Sequence, residues 1–196
     1  MRELCAECGN PSLTEQGAPF AFVHAGKPAT IEDRQTRCTA CGNVSYVGDQ
    51  ISRHELAVAA KIRELDGLLS AEELRRIRLK YALRQTDLEA MLSVGPKTWT
   101  RWERGKIPQS KAADTLIRVL AENPEVARRL MEQARVDNPA ATAVFAAIDE
   151  AARRVAIASL RAEIGDRPTD VDIDRIAARA VDLVRAARQK WGAKVA

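Results

Sequence analysis

The chain has 196 residues, with 31 Lys and Arg against 27 Asp and Glu and only 4% aromatics. That length admits two small domains or one domain with appendages. No apolar run is long enough to span a bilayer, and the opening MRELCAECGN lacks the apolar core of a signal peptide, so a cytoplasmic protein is expected.

All four cysteines fall within the first 41 residues, as Cys5-Ala-Glu-Cys8-Gly9 and Cys38-Thr-Ala-Cys41-Gly42, with 29 residues between the pairs. Two residues between thiolates let a tight turn aim both sulfurs at one ion, and the following Gly takes the left-handed conformation. The pattern predicts one structural Zn²⁺ per chain on Cys5, Cys8, Cys38 and Cys41, a closed shell that a domain this small would need to fold. A pair of disulfides or a redox CxxC are the rivals, and the cytoplasmic expectation and the paired knuckles count against both. Between the knuckles, Phe20 to Val23 and Ala29 to Ile31 flank a Gly26-Lys27-Pro28 turn and predict a hairpin, to which Val44 to Val47 adds a strand. The sheet edges are open to a partner strand or to solvent. With four thiolates available, His24 and His54 are expected at the surface. Residues 1–48 thus form a zinc-ribbon domain.

Gly48 to His54, GDQISRH, marks the change of texture, and Glu55 to Leu65 predicts a connecting helix that Gly67 ends, giving a connecting helix or linker over 49–69. Ser70 with Glu73 is a capping box, followed at helical spacing by Leu74, Ile77 and Tyr81. Leu88 and Leu92 share a face of a second helix that begins near Gln85. Gly95 is expected at positive φ and Pro96 at the first position of a third helix, which runs through Trp102 to a left-handed cap at Gly105. Ser70 to Lys111 holds ten cations and five acids. Such a concentration of positive charge is the footprint of phosphate binding, although three packed helices with a solvated cationic face would look the same.

In order and spacing, Arg78, Gln85, Leu88, Leu92, Val94, Thr98, Trp99, Arg101, Trp102, Glu103 and Gly105 resemble the Xre-type helix-turn-helix of phage repressors and bacterial regulators. The resemblance implies that Gln85 touches a phosphate, that Lys97, Thr98, Thr100 and Arg101 face the major groove with Arg104 among the DNA-binding residues, and that Arg78 pairs with Glu103 inside the domain. Leu88, Leu92, Val94 and Trp99 would be core. Two positions depart from the family, which has a small residue where Glu89 stands and Gly where Ser93 stands, because two helices pass closely there. Glu89 must therefore reach solvent or find a cation, and a slightly altered helix crossing is expected.

Ser110 to Leu120 predicts a further helix with Ala113, Leu116, Ile117 and Leu120 on one face, and Asn123-Pro124 opens another with Val126 and Leu130. Those stripes serve either the domain's own core or a dimer interface. The helix-turn-helix DNA-binding domain then spans 70–136. Beyond it, Asn138-Pro139 opens a long helix with Val144, Ile148, Ala152 and Val155 on one face, closed by Gly165. Thr169 caps a second, with Ile173, Ile176, Ala180, Leu183, Ala187 and Trp191 at a/d spacing. The fold class expected is mainly α with a small N-terminal zinc-ribbon β domain and a C-terminal helical hairpin over 137–196.

A zinc ribbon, a helical connector and an Xre-type domain ending in IPQSKAADTLIRVLAENPEVARRL, in that order over about residues 1–135, resemble the MqsA-type antitoxins, also described as YgiT-type zinc-finger proteins. The resemblance implies that the ribbon carries the zinc and grips a cognate toxin. It also implies that the C-terminal domain forms a homodimer and binds a palindromic operator in double-stranded DNA, with Lys97 and Arg101 reading base edges. Relatives carry Asn where Lys97 stands, and Lys favours guanine over adenine, so the operator should differ at that base. There is no phosphate-cradling loop and neither histidine has a placed nucleophile, so no enzyme is expected. A stand-alone regulator with a structural ribbon, or a protein-binding adaptor that has lost DNA, remain as alternatives.

Overall fold

The computed structural model describes residues 3–164, 175–176, 178–180 and 182. The chain falls into two compact units, Met1–Val136 and Asp137–Ala196.

The first unit opens on a three-stranded antiparallel sheet, β1 (Leu13–His24), β2 (Lys27–Cys38) and β3 (Val44–Ser45), in the order β1-β2-β3. The hairpin is longer than expected, running unbroken from Leu13↔Cys38 to His24↔Lys27. Its turn is Ala25-Gly26, not Gly26-Lys27-Pro28: Ala25 (φ 49°) and Gly26 (φ 79°) are both left-handed, the signature of a type I′ turn whose twist matches that of the strands. Pro28 sits instead within β2, opposite Val23. β3 pairs only over Val44 and Ser45, shorter than the four residues expected.

Helix α1 (Gln50–Asp66) starts five residues earlier than expected, so most of GDQISRH is helical, and it ends on Gly67 at φ 65°. It packs along β2 and covers the face that carries Ala29, Ile31 and Asp33. Helix α2 (Ala71–Lys80) begins in the expected capping box, Ser70 Oγ accepting the Glu73 N–H while the Glu73 carboxylate accepts the Ser70 N–H. Helix α3 (Gln85–Met91) and α4 (Thr98–Glu103) follow, then α5 (Lys111–Glu122) and α6 (Pro124–Gln133). Leu74, Tyr81, Leu88, Trp99, Ile117, Leu120 and Ala127 are fully buried and form the centre of this helical part. Buried Asp114 ties it together, accepting the Leu69 N–H and the Gln109 amide on one oxygen and the Arg118 guanidinium on the other.

Several local expectations are corrected. The left-handed residues between α3 and α4 are Ser93 (φ 53°) and Lys97 (φ 62°), not Gly95, and α4 starts at Thr98 rather than Pro96. Ser93 thus stands in a backbone conformation that a glycine would adopt at no steric cost. On α5 the buried side chains are Asp114, Ile117 and Leu120, while Leu116 is exposed.

In the second unit, α7 (Pro139–Ile164) is opened by Asn138, whose side chain accepts the Ala141 N–H. Its buried positions are Ala141 and Phe145; Val144 and Ile148 are half-buried, and Ala152 and Val155 are exposed. Ile176 and Ala180 are helical. Gly165, Thr169, Ile173, Leu183, Ala187 and Trp191 lie outside the described residues.

Candidate functional site

Each cysteine pair sits in the same local frame. The Gly9 N–H bonds the Cys5 carbonyl and the Gly42 N–H the Cys38 carbonyl, each at 2.8 Å, while the N–H groups of Cys5 and Cys38 reach back to Asn10 and Asn43. Gly9 and Gly42 are left-handed at φ 71° and 77°, which closes both turns. The Cys5 and Cys41 sulfurs are 3.6 Å apart and those of Cys8 and Cys38 3.7 Å, with all four within 4.8 Å of one another. A tetrahedral metal with metal–sulfur bonds of about 2.3 Å sets its sulfurs about 3.8 Å apart. The cluster is therefore compatible with one structural metal ion, and none of the four is in a disulfide.

Among themselves the thiols divide. Backbone N–H groups of Cys8 and Glu7 lower Cys5 to about 7. At Cys8 the Asn10 N–H favours the thiolate, but the neighbouring sulfurs outweigh it and push the group up to about 12. Crowded thiols cannot all ionise unaided, and a divalent cation removes that conflict.

The second constellation surrounds α4. Trp99 and Trp102 are buried beneath it, their rings edge to face at 5.7 Å. Its opposite side leaves Lys97, Arg101 and Arg104 exposed and Thr98 half-buried. Thr100 is half-buried and donates its hydroxyl to Gln85 Oε1 at 2.8 Å. Gln85 in turn donates from Nε2 to Glu103 at 2.7 Å. Glu103 also accepts Arg78 Nε at 2.6 Å, Arg78 Nη2 at 3.1 Å and the Trp99 indole N–H at 2.6 Å. Burial pushes the Glu103 carboxyl up, but these donors outweigh it and hold the group below the usual range. Gln85 is thereby tied into α4's support, whereas Lys97, Arg101 and Arg104 point charge at solvent.

Glu89 takes neither of the routes expected of it. It is 8% exposed and accepts the Trp99 backbone N–H at 3.1 Å, supplying the N-terminal acceptor that Lys97, the residue preceding α4, does not provide. The histidines are corrected as well. Half-buried His54 lies 3.0 Å through Nδ1 from the buried Asp33 carboxylate, which also accepts the Tyr46 hydroxyl and the Gln35 amide. Its ring stands edge to face on Phe20 at 4.6 Å. His24 Nε2 is 2.9 Å from Asp66, at the far end of α1, and Lys111 reaches the same carboxylate at 3.4 Å. Both histidines thus join the ribbon to α1. Sequence reading missed them because their partners are distant in the chain; Asp33, in alternation with inward Ala29 and Ile31, was the available signal.

The family model described as the antitoxin component of bacterial toxin-antitoxin system, MqsA, matches residues 1–131. No curated protein matches the chain. Among the described residues, no helix is long and apolar enough to cross a membrane.

Proposed function

Because the chain belongs to the MqsA family, the antitoxin components of bacterial toxin-antitoxin systems, we propose that it binds its cognate toxin and also represses its own operon through an Xre-type helix-turn-helix. In this reading Cys5, Cys8, Cys38 and Cys41 hold one structural Zn²⁺ and the ribbon they close presents the toxin-binding surface. α3 and α4 form the reading head, with Lys97 and Arg101 at base edges and Thr98, Thr100, Arg104 and Gln85 on the groove wall and phosphates. The protein works by binding rather than catalysis, in the cytoplasm, as a homodimer on a palindromic operator. Leu116 and Val119, 36% and 42% exposed on α5, offer an apolar strip to a second copy.

The observation that carries the DNA reading is a short helix with two tryptophans buried beneath it and Lys97, Arg101 and Arg104 exposed above. Glu89, a carboxylate where the family resemblance has a small residue, has a backbone partner and so gives no reason to discount the helix. The test is binding of the purified chain to its own promoter and to a random duplex across a salt series. A steep salt dependence with a marked preference for the promoter is expected. Arg101→Ala should remove most of that preference, about 1–3 kcal/mol, while leaving random-duplex binding nearly intact; equal losses on both duplexes would reduce Arg101 to a phosphate contact. Co-expression with the adjacent gene product should give a stable complex that rescues growth.

A further inference from the structure

Helix α4 has six residues, too few to persist alone, so whatever grips its ends sets where its side chains point. Its N-terminal end is held by Glu89 of α3. Its C-terminal end turns at Gly105, left-handed at φ 73°, where the Gly105 N–H bonds the Trp102 carbonyl and the Lys106 N–H the Arg101 carbonyl. The next carbonyls in the chain are taken by a different element. Arg63 of α1, only 7% exposed, donates from Nη1 to the Gly105 carbonyl at 3.2 Å and from Nη2 to the Ile107 carbonyl at 2.5 Å. A planar guanidinium spanning two carbonyls fixes both distance and angle, which a flexible ammonium cannot do. Leu56 of the same helix α1 lies beside this turn, 3.5 Å from where a Cβ on Gly105 would stand, an ordinary van der Waals contact. Val58, Ala59 and Ile62 of α1 line a groove of about 480 Å³ together with Arg101 and Ile107.

We propose that Arg63 is a positioning residue for DNA reading, which sets the register of Arg101 in the groove by clamping the carboxyl end of α4 without touching DNA itself. This rests on the DNA-binding function proposed above. A buried guanidinium cannot contribute a phosphate contact, so its effect must appear in the promoter preference and not in the electrostatic part of binding. The helix that carries Arg63 is also the one on which the ribbon is seated, through Thr36 Oγ1 to Gln50 at 3.0 Å and the two histidine–carboxylate pairs. The clamp therefore has a fixed base.

The experiment compares the full-length wild type, Arg63→Met and Arg63→Lys on promoter and random duplexes across a salt series, at a temperature where each is folded by circular dichroism. Arg63→Met should lower promoter affinity by about tenfold, with random-duplex affinity and salt slope unchanged. Arg63→Lys, which keeps the charge but cannot span both carbonyls, should show an intermediate loss, and it carries the test if Arg63→Met does not fold. A promoter-to-random ratio equal to that of wild type in the folded variants overturns the proposal while leaving DNA binding intact. A parallel loss on both duplexes with a shallower salt slope overturns it in favour of a direct phosphate contact. A wild type with no preference for its promoter overturns the DNA reading, and this proposal with it.

Discussion

Burying Glu89 takes a carboxylate out of water, and what offsets that cost is a single backbone donor at the start of α4. A hydrogen bond to a charged acceptor contributes about 1.5–3 kcal/mol and a helix N-terminus adds about 0.3–1 kcal/mol, against a desolvation cost of several. The terms nearly cancel, but removing the side chain also leaves the Trp99 N–H buried and unpaired. Glu89→Ala should therefore destabilise the protein by about 1–2 kcal/mol, and Glu89→Gln, which keeps an acceptor, by less than half of that. Urea denaturation at neutral pH decides the matter; an alanine variant as stable as wild type would mean that the carboxylate is tolerated there and does not hold the helix. Ser93, the second departure from the sequence resemblance, adopts φ 53°, a left-handed conformation that a residue with a Cβ takes at a cost. Both residues were visible as departures in the sequence. What each does was not, because the Trp99 donor lies ten residues away and a φ angle is imposed by the helices on either side.

The ribbon and α4 show which elements sequence can announce. The two knuckles were legible because CxxCG is local chemistry: thiolate spacing and a left-handed Gly define each turn without reference to the rest of the fold. The hairpin was legible in kind and not in extent, since Gln16, Gly17, Arg34, Gln35 and Arg37 carry little β signal and are held by their register between the knuckle and the Ala25-Gly26 turn. The start of α4 was misplaced because Lys97, with no glycine's freedom, takes the left-handed position ahead of it. Dependence on the knuckles gives a prediction for the ribbon alone. The Leu13↔Cys38 pair joins the strand ends directly to one knuckle, and a two-stranded ribbon is marginal without support. A metal chelator should release about one metal ion per chain and abolish hydrogen-exchange protection in β1 and β2. The core around Leu74, Leu88, Trp99 and Ile117 contains no cysteine and should keep its helical signal. Retained protection across β1 and β2 after complete metal removal would show that packing on α1 holds the hairpin unaided.

For the first unit as a whole, several of the joints between its parts are made by carboxylates. Asp33 and Asp66 fasten the ribbon to α1, Glu103 fastens α2 and α3 to α4, and Asp114 fastens the chain before α2 to α5. All four are held below the ordinary carboxylate range. At Asp33, Glu103 and Asp114 burial acts in the opposite sense, and donors from Tyr46, Arg78 and the Leu69 N–H respectively overcome it; at Asp66 the His24 hydrogen bond is the largest contribution. A carboxyl lowered in the folded state contributes stability that is fully present above its unfolded value, about 4, and is lost as pH falls through the folded value. The urea midpoint should thus stay level from pH 7 to about pH 5 and fall steeply below about pH 4. Thiolates that hold a metal also protonate in acid, so the wild-type curve alone does not assign the loss. Glu103→Gln separates the two, because it leaves the metal centre untouched and removes one carboxylate that accepts from three side chains. It should be less stable than wild type at pH 7, with the difference shrinking as pH falls until the curves converge. A gap that stays constant down to pH 3 would mean that Glu103 acts through shape and neutral hydrogen bonding, and that its charge does not hold α4 to α2 and α3.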